Sequence, residues 1–397
     1  MSDILRISGG SDEDDRFSRF RLIGWWDQAR LAAAKVLVIG AGALGNEIVK
    51  NLALLGVGRV VVADLDRVEN SNLSRSVLFR ESDRGRAKAE VAAGRAADIY
   101  PGIRARPFVG NVVYDLGQGI YRWADVILGG LDNREARVAI NHAAARAGKI
   151  WIDGAIERLD GVARVFDPAV GPCYECTMGV NDWKMLEARR SCALLSRGEM
   201  ELGKVPTTPT TASIVAGIQV QEAVKLLHGL EVLSGQGYVF DGTHHQSYVV
   251  SYTRKEDCPS HEPYEAVEEL AEGAGTVLLG DLLERARSDL GAGAVLELSR
   301  DLLKSLTCDR CGTTESRFGS LGRVTEAEGR CPGCGLARTP AFFHAIDGED
   351  PALLGLTPAA IGVPPWDVVT GRAGWRQRHY ELAADRGTVL GPLADAS

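Results

Sequence analysis

The sequence predicts a doubly wound α/β fold, a mainly parallel sheet with an antiparallel extension, followed by a smaller α+β domain. Three observations predict it. Apolar runs alternate with helical patterns from Val36 to Ile152, a glycine-rich turn follows the first run, and beyond Pro263 the composition shifts to acidic helical sequence and paired cysteines.

The first apolar run, Val36 to Ile39, is followed by a helical pattern to Leu55 and a second run, Val60 to Ala63, which ends in Asp64. The alternation continues with a helix over Lys88–Ile99, a strand over Asp125–Leu128, a helix over Arg134–Arg146 and a strand over Ile150–Ile152. Between Arg158 and Phe166 apolar and polar residues alternate, the pattern of antiparallel strands with one wet face. Thr207 to Leu227 reads as one helix, and Gly237–Phe240 and Ser247–Tyr252 as two more strands. Helices are expected over Tyr264–Ala271 and Leu279–Leu290. The expected organisation is a flexible arm over 1–15, the α/β domain over 16–263 and a cysteine-bearing domain over 264–397.

Composition narrows the function. The chain has 397 residues, 45% of them hydrophobic, with 53 acidic against 45 basic side chains and a formal charge of -8. No dense Lys/Arg run is present to neutralise a phosphate backbone, so nucleic acid is a poor partner. The N-terminus lacks the basic start and apolar core of a secretory signal, and the long mild segment Ala212–Leu227 is interrupted by Gln219, Gln221, Glu222 and Lys225. The expectation is a soluble cytoplasmic protein that does not enter membranes.

Gly40, Gly42 and Gly45 form G-x-G-x-x-G between a strand and a helix, which permits a tight turn and close approach of a phosphate to the helix N-terminus. Asp64 lies 24 residues after Gly40, where a ribose-binding carboxylate belongs in a Rossmann-like unit. Taken alone, this spacing equally suits a nicotinamide-dependent dehydrogenase. The polar set that follows separates the two: Asp64-Leu65-Asp66, then Ser71-Asn72-Leu73-Ser74-Arg75, then Gly85 and Lys88, then Gly130-Leu131-Asp132-Asn133. Hydride transfer has no need of it. A triphosphate wants cationic partners, and a carboxylate such as Asp132 can hold magnesium against its oxygens.

With these motifs the sequence resembles, over about 16–260, the family that includes ubiquitin-activating enzymes, the molybdopterin-synthase adenylyltransferase and the thiamine-pathway adenylyltransferase ThiF. The family pattern R-x-x-R matches Arg16-Phe17-Ser18-Arg19. The resemblance implies a homodimer in which Arg19 is an arginine finger reaching ATP across the interface. It further implies that Asp64 binds ribose with Asp66 close by, that Asn72, Arg75 and Lys88 bind the phosphates, and that Asp132 holds magnesium. Phe20 departs from the pattern, where many members have Gln.

Seven of the eight cysteines fall into C-x-x-C or C-x-x-H pairs, a spacing that favours zinc over disulfides. Cys308, Cys311, Cys331 and Cys334, with nineteen residues between the pairs, have the spacing of a four-thiolate zinc ribbon. The C-x-x-C pair Cys173 and Cys176 has its best remaining partners in Cys258 and His261. The family resemblance implies a zinc held by two distant C-x-x-C pairs at these places, with His261 here replacing the last Cys. Cys192, in Arg189-Arg190-Ser191-Cys192, is left over. In the ubiquitin-activating branch a catalytic cysteine lies at a comparable place, and the two arginines would favour its thiolate. The bland alternative is a small buried hydrophobe.

Leu356–Val363 with Pro364, Pro365 and Tyr380-Glu381-Leu382 faintly resembles the end of a ubiquitin-like β-grasp domain, implying a docking role toward a conjugating enzyme. The alternative is a zinc-stapled appendage. Three functions follow from the whole. The first is a bacterial-style activating enzyme that adenylates the C-terminal carboxylate of a ubiquitin-like protein, carries it as a thioester on Cys192 and passes it to a conjugating enzyme, by analogy in antiviral defence. The second is a sulfur-carrier adenylyltransferase without the thioester, and the third a non-catalytic dimeric scaffold.

Overall fold

The computed structural model describes residues 15–180, 182–183, 206–325 and 327–394. Its first unit is an eight-stranded sheet in the order β3-β2-β1-β4-β5-β6-β7-β8. The short helix α1 (Gln28–Ala33), capped by the Asp27 carboxylate, leads into β1 (Lys35–Ile39), α2 (Ala43–Leu54) and β2 (Arg59–Asp64). Then come α3 (Lys88–Ile99), β3 (Arg104–Val109), α4 (Gln118–Trp123), β4 (Val126–Gly129), α5 (Arg134–Arg146) and β5 (Trp151–Glu157). These five strands are parallel. β6 (Asp160–Phe166) turns antiparallel, α6 (Pro209–Leu227) returns across the sheet, and β7 (Gln236–Asp241) and β8 (Gln246–Ser251) complete it.

Alternation along each strand divides the core in two. Val36, Val38, Val60, Val62 and Leu128 pack under α2, α3 and α6, while Leu37, Ile39, Val61, Ile127 and Trp151 face α4 and α5 on the other side. The strands are buried on both faces, which explains their continuous apolar runs. The chain runs outward from β1 to β3 and then returns to place β4 on the other side of β1. The C-terminal ends of β1 and β4 therefore flank a topological switch point, where such sheets bind ligands.

The second unit is a six-stranded sheet with β9 (Val267–Glu269), β10 (Val295–Cys308), β11 (Thr313–Gly319), β12 (Thr339–Ile346), β13 (Val368–Ala373) and β14 (Arg376–Glu381), covered by α7 (Leu279–Leu290). The helix expected over Tyr264–Ala271 is corrected here: its centre is β9, which pairs parallel with β14. The backbone groups of so short a segment find better partners on an open sheet edge than within one helical turn. The fold is thus the α/β sheet with antiparallel extension and the α+β C-terminal part that the pattern predicts. No helix among the described residues is long and apolar enough to cross a membrane.

Candidate functional site

The glycines at the switch point each have a separate reason. Gly40 has φ +93°, a conformation that L side chains rarely adopt, and a Cβ there would overlap the Gly130 carbonyl. A Cβ on Gly45 would overlap the Gly40 carbonyl oxygen, so helix α2 can start this close to β1 only without a side chain. Gly42, the N-cap of α2, has nothing within 4 Å of its added Cβ, which leaves open space directly above the helix N-terminus. The Gly130 N–H donates to the Ile39 carbonyl at 2.8 Å, tying the loop after β4 to the end of β1. The result is a helix start with open space at its N-cap, a site suited to an anion.

Asp64 ends β2, and its carboxylate accepts the Ala41 N–H at 2.6 Å and the Asp66 N–H at 2.7 Å. Burial pushes the Asp64 carboxyl above its ordinary value, against the opposing pull of Lys88 and these N–H groups. Lys88 begins α3, is nearly buried, and its ammonium meets the exposed Asp66 carboxylate at 2.8 Å. Asn72 is buried in the intervening turn, where its side-chain oxygen accepts the Glu69 N–H at 2.9 Å, and the Arg75 guanidinium donates to the Ser71 carbonyl at 2.7 Å. Asp132 is exposed in the loop after β4, and its neighbour Asn133 caps α5. The structure thus brings the glycines, Asp64, Asp66, Lys88 and Asp132 around the C-terminal ends of β1, β2 and β4. If ribose is bound through ionised Asp64, ATP affinity is expected to fall on acidification at a pH above the usual carboxylate range. Titration calorimetry checks this, and Asp64→Asn should remove that limb.

Arg19 lies elsewhere. The segment before α1 is packed at the far ends of the helices: Arg16 donates to the Ile99 carbonyl at 2.8 Å and covers the Tyr100 ring, and Phe17 abuts Gly56. Because α2 has 12 residues and so spans about 18 Å, this anchorage sits a helix length from the glycine loop at the other end. Arg19 is exposed and, among the described residues, forms no side-chain hydrogen bond or ion pair. Phe20, the departure from the family pattern, joins an aromatic cluster, its ring 6.1 Å from Phe17 and 4.8 Å from Trp26.

A buried polar cluster beneath the Asp132 loop escaped the sequence reading. Asp153 at β5 is fully buried and accepts from Arg137 Nε and Arg164 Nε, each at 3.0 Å. Arg137 also donates to the carbonyls of Leu131 and Gly154, and Gln219 of α6 donates to those of Gly129 and Ile152. Arg137 and Gln219 thus hold the backbone that leads into Asp132, at Leu131 and Gly129. Asp153 interrupting an otherwise apolar strand was the available signal.

Cys173, Cys176, Cys258 and His261 converge, with one ligand atom from each lying within 4.8 Å of every other. The Cys173 sulfur is 3.8 Å from that of Cys176 and 3.5 Å from that of Cys258, and Cys176 is 3.2 Å from His261 Nε2. Edges of this length fit three thiolates and one imidazole nitrogen arranged as a tetrahedral zinc-type donor set. Beneath it the buried Glu175 receives Ser260, meets His142 Nε2 at 2.8 Å and receives Asn141 at 3.2 Å, bonding the knuckle to α5. Cys308, Cys311, Cys331 and Cys334 converge in the same way at the outer end of β10. Both donor sets could hold a metal. Cys192, with Arg189 and Arg190, lies outside the described residues.

The ThiF family pattern matches residues 15–260. Among similar proteins, the sulfur carrier protein adenylyltransferase of Thermus thermophilus is 33% identical over 257 residues, 62% of this chain and 90% of that protein. The SAMP-activating enzyme E1 of Haloferax volcanii is 33% identical over 266 residues, 64% of this chain and 91% of its own. The catalytic subunit of the Arabidopsis thaliana NEDD8-activating enzyme E1 is 40% identical, covering 36% of this chain and 34% of that subunit. Among solved structures, E. coli MccB with ATP has the same fold over 64% of this chain and 75% of its own, with a TM-score of 0.53 and 23% identity. By pattern, sequence and fold the chain belongs to the ThiF family.

Proposed function

We propose that this ThiF-family adenylyltransferase uses magnesium-ATP to adenylate the C-terminal carboxylate of a ubiquitin-like or sulfur-carrier protein. The observation that carries the reading is the close crossing of Gly40, Gly45 and Gly130, which leaves the α2 N-terminus open beside Asp64, Lys88 and Asp132. The α2 N–H groups and Lys88 would cradle the phosphates, with Asn72 and Arg75 on their flank, and Asp64 would fix the ribose. Asp132 is the one exposed carboxylate of the β4 loop, a hard oxygen donor suited to magnesium. With magnesium bound there, phosphate charge is neutralised where pyrophosphate leaves.

In the reaction a carboxylate oxygen of the carrier forms a bond to the α-phosphorus, and the bond from that phosphorus to the bridging oxygen of the β-phosphate breaks. The nucleophile is weak, so the protein's part is to hold the two reactants in line and neutralise charge. Arg19, a helix length from the site of its own chain, would contribute from a second copy. Carrier-dependent exchange of pyrophosphate into ATP tests the reading, and its absence with ATP bound would favour a non-catalytic scaffold.

Two finer readings remain distinct in chemistry. In the first, Cys192 takes the carrier from its adenylate as a thioester for delivery to a conjugating enzyme, which the C-terminal unit would dock. In the second, the carrier leaves as its adenylate for sulfur transfer; the name of the Thermus relative specifies adenylyl transfer to a sulfur carrier protein. A non-reducing gel with magnesium-ATP and carrier separates them. A thiol-sensitive adduct lost in Cys192→Ala supports the first, and exchange without an adduct supports the second.

Both cysteine clusters fit zinc, in structural roles because four protein ligands leave no open position. Metal analysis is expected to find two zinc ions per chain, falling to one in Cys334→Ser with a lower melting temperature. One or none in the wild type would refute this assignment.

A further inference from the structure

The C-terminal unit lies beyond the ThiF-family match, yet it reaches the rim of the nucleotide site. Residues 110–117 leave the C-terminal end of β3, whose last residue Val109 pairs with Asp64. The Gly110 N–H donates to the Asp64 carbonyl at 3.3 Å, and the Tyr114 hydroxyl reaches Glu135, in the first turn of α5 behind Asp132, at 3.2 Å. This loop therefore spans from the backbone of Asp64 to the helix that follows Asp132.

Its backbone is held from the other unit. One guanidinium, that of Arg300, donates to both the Val113 carbonyl at 3.0 Å and the Leu116 carbonyl at 3.1 Å. The buried Asp367 braces it, accepting from Arg300 at 3.2 Å through one oxygen and from the Gln118 N–H at 2.8 Å through the other. Beside it Trp366, held at φ +57°, accepts the Gly119 N–H on its carbonyl at 2.8 Å, and side chains on Gly117 or Gly119 would overlap it. A planar fork that satisfies two carbonyls at once fixes a loop more tightly than a single contact does.

We propose that the C-terminal unit is a built-in wall of the nucleotide site, and that Arg300 is a positioning residue that sets ATP affinity by holding the 110–117 loop against Asp64. The inference rests on the assignment of ATP to the β1–α2 loop. A hydrogen bond to the nucleotide that a displaced loop no longer makes is worth about tenfold in affinity.

The test measures the dissociation constant of magnesium-ATP for the full chain by calorimetry, and the melting temperature, for wild type, Arg300→Ala, Arg300→Lys and Arg106→Ala. Arg106 touches the C-terminal unit at the Val389 carbonyl, away from the loop, and so controls for loosened docking alone. The expected result is an approximately tenfold weaker ATP affinity in Arg300→Ala, a smaller loss in Arg300→Lys, which keeps the charge without the fork, and no change in Arg106→Ala. Lys and Ala variants that bind ATP as the wild type does would overturn the proposal, as would an equal loss in Arg106→Ala. Should Arg300→Ala not fold, the lysine variant carries the test alone. The measurement needs no carrier, so absent pyrophosphate exchange with normal ATP binding would count against the adenylation reading and leave this one standing.

Discussion

Arg19→Ala and Asp132→Ala proteins, each expected to lose at least about a hundredfold of carrier-dependent pyrophosphate exchange, should regain about a quarter of wild-type exchange when co-folded in equal amounts. The reason is the placement of the Arg19 segment. Arg16 and Phe17 fix it at the C-terminal ends of α2 and α3, whereas the phosphate loop lies at the N-terminal end of α2. An arginine so anchored would reach ATP only in the site of a second copy. Random pairing makes half of all dimers mixed, and each mixed dimer keeps one site with an intact Asp132 facing an intact Arg19. Exchange that stays absent after co-folding would mean that Arg19 acts within its own chain or has no part in the reaction.

Gly45→Ala and Gly42→Ala should both weaken ATP binding, the first by about tenfold or more as the N–H groups of the first turn of α2 shift, yet differ in stability. A Cβ at Gly45 overlaps the Gly40 carbonyl, so the first turn of α2 must move away from β1, an overpacking of backbone that costs about 1–3 kcal/mol or more. At Gly42 the added carbon meets no protein atom and its φ of -74° suits alanine, so the melting temperature should stay at the wild-type value while the carbon intrudes on the phosphate. Calorimetry and thermal melts read the two effects separately. A Gly42→Ala protein with unimpaired ATP binding would place the phosphates elsewhere.

Elements with strong local signals were legible in the sequence. Helices Lys88–Ile99, Arg134–Arg146 and Leu279–Leu290 have the bounds that their patterns predict, because each carries an apolar face over three turns or more. Strand Arg104–Val109 was not legible: it is an edge strand carrying two arginines and a proline, with no buried residue to give a pattern. Helix Gln118–Trp123 is six residues long and is held by Asp367 and Trp366, which lie some 250 positions away in sequence. A separation of 187 positions from Val113 hid Arg300, and the pairing of Asp153 with Arg137 and Arg164 is set by tertiary packing. Cysteine spacing, by contrast, named both four-residue clusters, including the replacement by His261, because ligand pairs three residues apart are a local feature.

The most direct test of the central claim is exchange of labelled pyrophosphate into ATP by the full chain, with a small β-grasp carrier bearing either a free or an amidated C-terminus. The account predicts rapid exchange with the free carboxylate, none with the amide, and none for either carrier with Asp132→Ala. Exchange that proceeds equally with the amidated carrier, or without any carrier, would contradict it.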